Sequence, residues 1–250
     1  MNDSVRLFST RTEAYAQFRP TYPAGLFAWL ASQCVRRESA LDLATGNGQA
    51  ALPLCNHFDR VLACDASIAQ LQASGDRQNL RRFACRAEQL PLRDGQLDLI
   101  VVAQALHWFA TEQFFDQARR ALRPDGLFCA WSYSLLSIEP SLDTVITHLH
   151  GEILADCWPM GRASVDAGYR DIEPPFPLIE VPTFQIETAW TLHQLLGYLR
   201  TWSAAKRWQQ VHGADPIDIV QPELLRRWGD PELQRTIRWP LHFLAGYPRR

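Results

Sequence analysis

A doubly wound α/β domain on a mostly parallel sheet is predicted by three observations. From Ala40 to Tyr133, short apolar runs of strand length alternate with amphipathic stretches at helical spacing, the pattern of parallel strands joined by helical crossovers. The first run, ALDL, passes into the glycine loop ATGNG, where residues without a Cβ let the chain turn sharply and a ligand come close. The second, RVLACD, ends in Asp65, about twenty residues past the first strand, where a carboxylate can accept hydrogen bonds from both ribose hydroxyls.

The elements follow in order. Pro23 can open a helix, and AGLFAWLASQ supplies apolar residues at helical spacing to pack beneath the sheet. ALDL, RVLACD, FACRAE, LDLIVVAQ and GLFCAWSY read as strands, and QAALPLCNHF, SIAQLQAS and EQFFDQARRAL as the helical stretches among them. LDLIVVA is apolar enough for a central strand covered on both faces. SLDTVITHLHGEIL reads as a further helix, and residues 158–182, with five prolines among them, as a loop over one side of the site. A strand near Thr183 to Glu187, a helix from about Leu192 to Trp208 and a last strand from about Thr236 to Ala245 complete the chain. One domain over 1–250 is expected, with 1–35 as an amino-terminal lid and helix.

Bulk properties narrow the partners. A net charge of −2 with dispersed acids and bases leaves no electrostatic footprint for nucleic acid or an anionic membrane. The six cysteines form no C-x-x-C pair and several lie in apolar runs, as reduced thiols do. No apolar stretch has the length of a signal peptide or membrane helix, so a cytoplasmic protein, monomer or homodimer, is expected. No metal-ligand cluster is visible in the spacing.

The glycine loop alone does not choose a cofactor. Read as G-x-G-x-x-G it gives GNGQAA, with Ala51 at the third glycine, and some dinucleotide sites tolerate that. Asp42, inside the strand end, favours a different ligand: its carboxylate suits an ammonium group and would repel a pyrophosphate.

Four segments in succession, LDLATGNGQ, ACDAS, RAEQLPLRDGQLDLIVVAQALHWF and ALRPDGLFCAWSY, resemble the motifs of class I S-adenosylmethionine-dependent methyltransferases. AQALHWF, FRPTYP and GYLRTWSA resemble the subgroup containing trans-aconitate methyltransferase, a likeness covering nearly the whole chain. Ala44 departs from the pattern where a first glycine is common, and so does Asp125 in the later turn. The resemblance implies a seven-stranded Rossmann-like sheet with one closing strand antiparallel, and S-adenosylmethionine as cofactor. It implies that the loop of Ala44, Thr45, Gly46 and Gly48 holds the methionine end, with Asp42 facing the ammonium. It places Asp65 and Ala66 at the ribose, Ile68 on the adenine, and Ala87 and Glu88 at the adenine edge; Gln104, which leads the turn after the fourth strand, is a further candidate cofactor contact.

His107 and Trp108 follow that strand, so they emerge at the carboxyl edge, where ligands bind in open α/β sheets. His107 is a candidate base or donor; a satisfied wall residue is the alternative. Arg19 and Tyr22 on the lid, Tyr133 at the end of the fifth strand, and Arg200, Trp202 and Ser203 on the late helix are candidate acceptor contacts. An arginine among aromatic rings suits a small acid, although a surface ion pair and core rings fit the same residues. Trp131 could line the floor beside Tyr133 or belong to the core.

The expected function is methylation of a small carboxylic acid, giving a methyl ester. A carboxylate is already a nucleophile at neutral pH and needs no general base. The alternatives are C- or O-methylation of a quinone-like or natural-product acceptor with His107 as base, and a cofactor-binding module without turnover. A dehydrogenase is the remaining alternative if the cofactor differs.

Overall fold

A computed structural model of the chain describes residues 20–249. Its centre is a seven-stranded sheet in the order β3-β2-β1-β4-β5-β7-β6. β1 (Ser39–Leu43), β2 (Arg60–Asp65), β3 (Leu80–Ala84), β4 (Leu97–Ala103) and β5 (Leu122–Tyr133) are parallel. β7 (Arg235–Gly246) runs antiparallel to both its neighbours, β5 and β6 (Gln185–Trp190). β1 is buried along its whole length and β4 nearly so, as strands covered on both faces must be.

Two apolar layers sit on the two faces. One packs α1 (Ala24–Ser32), α2 (Ala51–Leu54) and the later helices α5 (Pro140–His148), α7 (Leu192–Arg200), α8 (Ser203–His212) and α9 (Ile217–Trp228). The other holds Phe114, Phe115 and Ala118 of α4 (Glu112–Ala121) together with Val165 and Tyr169. α4 starts where Thr111 accepts a hydrogen bond from the Phe114 backbone N–H at 3.3 Å, a side-chain cap. Glu112 lies in its first turn and Arg119 and Arg120 in its last, each of the sign the helix dipole favours. α3 (Ile68–Ala73) links β2 to β3, and α6 (Arg162–Asp166) is the one helix within 158–182.

Several elements differ from expectation for local reasons. The stretch QAALPLCNHF carries helical bonds from Leu52 N–H to Gly48 at 3.0 Å through Phe58 N–H to Leu54 at 3.1 Å, but regular helix covers only Ala51–Leu54. Pro53 has no N–H to give. The helix expected from Leu192 to Trp208 is two, broken at Thr201 and Trp202. The buried Thr201 hydroxyl donates to the Tyr198 carbonyl at 2.6 Å, a side-chain bond that competes with helix continuation. α9, with Pro222 inside it, falls in a stretch to which the sequence pattern assigned no element. Arg123 to Gly126 form an extra loop within β5, because Leu97 pairs with Leu122 and Leu99 with Leu127.

At the amino edge of the sheet, Asp98 is buried and accepts from the Glu38 and Ser39 backbone N–H groups, each at 2.9 Å, while Arg123 pairs with it. That ties β4 to the start of β1 on the side away from the glycine loop. Among the described residues no helix is long and apolar enough to cross a membrane.

Candidate functional site

The ends of β1, β2, β4 and β5 share one edge because these strands are parallel. At β1 the chain leaves the sheet through three left-handed positions, Ala44 at φ 55°, Gly46 at φ 55° and Gly48 at φ 86°. Two are glycine, where that conformation is free; Ala44 pays for its Cβ. The loop is pinned to β2 by the Thr45 N–H, which donates to the Cys64 carbonyl at 2.9 Å.

Two acids frame this loop. Asp42 is fully buried, and the Thr45 hydroxyl donates to its Oδ2 at 2.6 Å. Its Oδ1 is buried with no hydrogen-bond partner of ordinary geometry. Burial pushes the carboxyl up to about 7, against the pull of Thr45 and the Ala51 backbone N–H. Asp65 accepts from Gly46 N–H at 2.9 Å through Oδ2 and from Ser67 N–H at 2.8 Å through Oδ1. Burial raises its pKa while those backbone donors lower it. Each carboxylate oxygen has a second lone pair, so bracing the loops does not exhaust Asp65 as an acceptor.

Beside Asp65, Ala66 is exposed and Ile68 is 62% exposed, an apolar side chain presented next to a half-buried acid. Ala87 is buried, and Glu88, half-buried, pairs with Arg86 at 3.6 Å. The residues fit an adenosine-containing cofactor with an ammonium group. A buried acceptor lacks a donor at Asp42, the loop allows close approach of backbone, and an apolar face stands beside the acid suited to ribose.

The turn after β4 is built from side chains. Gln104 takes φ 59°, its N–H donates to the Trp131 carbonyl at 2.8 Å, and its amide donates to the Tyr133 carbonyl at 3.2 Å. This straps β4 to β5, so Gln104 shapes the edge through backbone contacts. His107 follows in a single turn, Leu106–Trp108. Its Nδ1 lies 3.2 Å from the Tyr169 hydroxyl. The Leu106 and His107 backbone amides also face that phenol, and burial pushes its pKa up, so it keeps its proton. Burial above all, with the Arg162 charge, pushes the His107 imidazole down to about 4. The histidine is neutral at physiological pH.

Residues 158–182 close on this turn. Gly161, at φ 86°, lies so near His107 that a Cβ would come within 2.8 Å of its Cδ2. Farther along, the Ile179 N–H donates to the Ala245 carbonyl at 2.8 Å and a Cβ on Gly246 would sit 2.4 Å from the Pro177 carbonyl. The segment is thus held at His107 and at β7. Between these points the Arg162 guanidinium lies 4.2 Å over the Trp158 ring. Trp158, His150 and Trp202 pack together, with centroids 4.6 Å (His150 to Trp158) and 5.6 Å (Trp158 to Trp202) apart.

The acceptor-side expectations divide. His107 and Trp108 stand together, their rings 4.8 Å apart. Trp202 joins the buried aromatic cluster and Ser203, half-buried, opens α8. Arg200 is ion-paired within the fold: its Nε pairs with Asp215 at 2.5 Å and its Nη2 with Asp218 at 3.1 Å. Through those two nitrogens the guanidinium holds α7 to the start of α9. Trp131 is core, fully buried with Tyr22 edge-on at 5.4 Å, and Tyr133 is buried beside it. Arg19 and the first nineteen residues of the lid lie outside the described residues. Sequence reasoning missed Tyr169, Gly161, Arg162 and His150. A glycine among prolines was the single signal for Gly161, and Tyr169 had none.

Residues 41–130 match the family model described as a methyltransferase domain. Over 245 residues, 95% of this chain and 93% of the relative, the sequence is 30% identical to a Dictyostelium discoideum protein named "putative methyltransferase". A stretch of 123 residues, 46% of either chain, is 33% identical to the malonyl-[acyl-carrier protein] O-methyltransferase of Geobacter sulfurreducens. The solved structure of a "putative type II methyltransferase" from Anaeromyxobacter dehalogenans matches with a TM-score of 0.87 at 38% identity, over 92% of this chain and 98% of that one.

Proposed function

This chain belongs to the class I S-adenosylmethionine-dependent methyltransferases, and from that premise we propose that it methylates a small carboxylic acid to its methyl ester. The observation that carries this reading is His107 packed against Gly161, its Nδ1 3.2 Å from the Tyr169 hydroxyl, a burial that pushes the imidazole down to about 4. A base that weak takes a proton poorly from a hydroxyl or carbon acid at neutral pH, whereas a carboxylate is already ionised and needs no base.

When bound, the cofactor supplies a methyl group on a positively charged sulfur. That chemistry would be an in-line displacement in which the acceptor oxygen would bond to the carbon as the carbon–sulfur pair passed to sulfur, so no residue of the protein would need to move a proton. The protein's part is alignment and exclusion of water. In this reading the Ala44, Thr45 and Gly46 backbone and Gly48 hold the methionine end, and Asp42 Oδ1 receives the ammonium. Asp65 and Ala66 hold the ribose, Ile68 covers the adenine, and Ala87 and Glu88 meet its edge. Gln104 sets the floor between the two ligands. Tyr169 directs its hydroxyl at His107 Nδ1, leaving Nε2–H as a donor to the acceptor. Trp108 and the 158–182 segment wall off water, with Tyr22 and Tyr133 beneath. The malonyl-named relative in Geobacter is a second support for an O-methylated acid.

The test is incubation with methyl-labelled cofactor and a panel of mono-, di- and tricarboxylic acids, phenols and enols. Label in a product that alkali releases as methanol supports the ester. Label that resists alkali, or transfer to phenols alone, overturns it.

The competing reading, with His107 and Tyr169 as a base pair for a hydroxyl or carbon acceptor, has their 3.2 Å contact in its favour. It requires His107→Ala to abolish turnover. Ester formation would lose only positioning, about tenfold.

A further inference from the structure

We infer that Tyr169 is the positioning residue that confines the site to acceptors already ionised: its hydroxyl fixes His107 in the tautomer with the proton on Nε2, so the histidine donates a hydrogen bond where a base would have to accept a proton. The inference rests on the ester-forming reading above and adds what rejects neutral hydroxyl and carbon acids.

The phenol reaches His107 through a backbone placement that bulky residues rarely adopt. Tyr169 sits at φ 62°, a left-handed conformation that persists only where the surroundings enforce it. They do so on both sides. Its N–H donates to the Ser164 carbonyl at 2.8 Å, and its carbonyl accepts from the Ile172 N–H at 3.0 Å. Before it, Gly168 lies so near His242 that a Cβ would come within 2.7 Å of the imidazole Cγ. The tyrosine ring is fully buried in the layer that holds Ala105, Leu106 and Val165. So anchored, its hydroxyl stands 3.2 Å from His107 Nδ1.

What that oxygen accepts decides where its own proton goes. A phenol has one proton to donate and lone pairs to accept with. The Leu106 and His107 backbone amides face the oxygen, and it keeps its proton, so the acceptor left for the O–H is Nδ1. A neutral imidazole that accepts at Nδ1 carries its hydrogen on Nε2. A carboxylate in the same place would do the reverse, holding a proton on Nδ1 and leaving Nε2 as a base. Among the described residues no carboxylate bonds Nδ1; Asp171, whose charge reaches the ring, accepts from the Ser164 hydroxyl at 2.9 Å. Nε2 has no hydrogen-bond partner among the described residues and is not a sealed orphan as His150 Nε2 is, so it is open to what enters the site. An ionised carboxylate can take a bond from Nε2–H as it stands. A phenol or enol must lose a proton and finds no base there.

The test reads tautomer and selectivity together. In protein labelled with nitrogen-15 in its histidine rings, the His107 signals, identified by their absence in His107→Gln, are expected to show Nε2 protonated and Nδ1 bare. Tyr169→Phe keeps the ring and removes the hydroxyl. It is expected to release that tautomer and lower turnover of carboxylic acids severalfold, while raising transfer to phenols and enols relative to acids about tenfold or more and leaving S-adenosylhomocysteine affinity unchanged. The gained transfer should rise with pH as the imidazole loses its proton, and should vanish in the double variant with His107→Gln. A merely structural tyrosine gives a different pattern, with transfer to every acceptor lowered alike and the tautomer unmoved, and that result overturns the inference. A proton on Nδ1 in the wild-type protein overturns it too and leaves ester formation standing; this measurement decides should Tyr169→Phe fold poorly. Wild-type transfer to phenols alone removes ester formation and the inference with it.

Discussion

Around β1 and β2 the site is made of backbone: three left-handed residues and two acids that accept from the chain within a few residues or across one neighbouring strand. Around β4 it is made of side chains brought from afar, with His107 meeting Tyr169 across a separation of 62 residues. The first kind of construction is local and tolerates little change, because each hydrogen bond fixes a loop. The second depends on how a long segment packs, and it is where related enzymes are free to differ in substrate.

The sharpest way to break this contrast is Asp65→Ala. It removes the acceptor of the Gly46 and Ser67 amides as well as the proposed ribose contact. Losing the two proposed charge-assisted bonds to the ribose hydroxyls, at about 1.5–3 kcal/mol each, should weaken S-adenosylhomocysteine binding about 100-fold or more, as read by calorimetry, with acceptor selectivity unchanged.

Gly161→Ala should do the reverse. Its Cβ would enter contact distance of His107 at a left-handed φ, costing about 1–2 kcal/mol in backbone strain alone. Turnover is expected to fall about tenfold or more with cofactor affinity intact; a matching loss of cofactor affinity would show that the two halves are not separable.

Asp42 gives a pH signature confined to the cofactor half. Folded, it keeps its proton up to about 7, against 3.8 unfolded. Between those values the unfolded chain holds fewer protons, so the unliganded protein loses stability as pH rises through that window. An ammonium beside Oδ1 favours the ionised form, so cofactor binding below pH 7 must expel the proton. Affinity should then rise with pH from about 5.5 to 7.5, approaching tenfold per unit at the acid end. Asp42→Asn should flatten that slope, and a slope retained in the variant would reassign the titration.

The smallest effect is Ala44→Gly. The alanine sits at φ 55°, so relief of strain should raise stability by at most about 1 kcal/mol after the entropy that glycine adds to the unfolded chain. Thermal unfolding measures it.

The same division explains what the sequence made legible. Strand runs and the acid at each strand end are local signals, and β1, β2 and β4 lie where their apolar runs put them. Asp42 and Asp65 could be singled out because their setting is defined by neighbours in the chain. The ion pair of Arg200 could not be read from the chain, because an arginine near tryptophan in sequence carries no record of Asp215, which reaches it only after α7 and α8 have folded back. Tyr169 and Arg162 were invisible for the same reason: their partners are set by tertiary packing. α9 carries Pro222 inside it, and the burial of Val220 and Leu224 in the core sustains the helix across that proline.

The position of β7 sets the order in which the molecule can be completed. Among the described residues β6 pairs in the sheet with β7 alone, and β7 must slide between β6 and β5. While residues 235–246 are still within a ribosome, β5 offers an open hydrogen-bonding edge and β6 has nothing to pair with. Such an edge invites other chains. A nascent protein released before Arg235 should therefore collect in aggregates. The last strand closes the sheet as a keystone, and it does so at the boundary where the 158–182 segment is tied down.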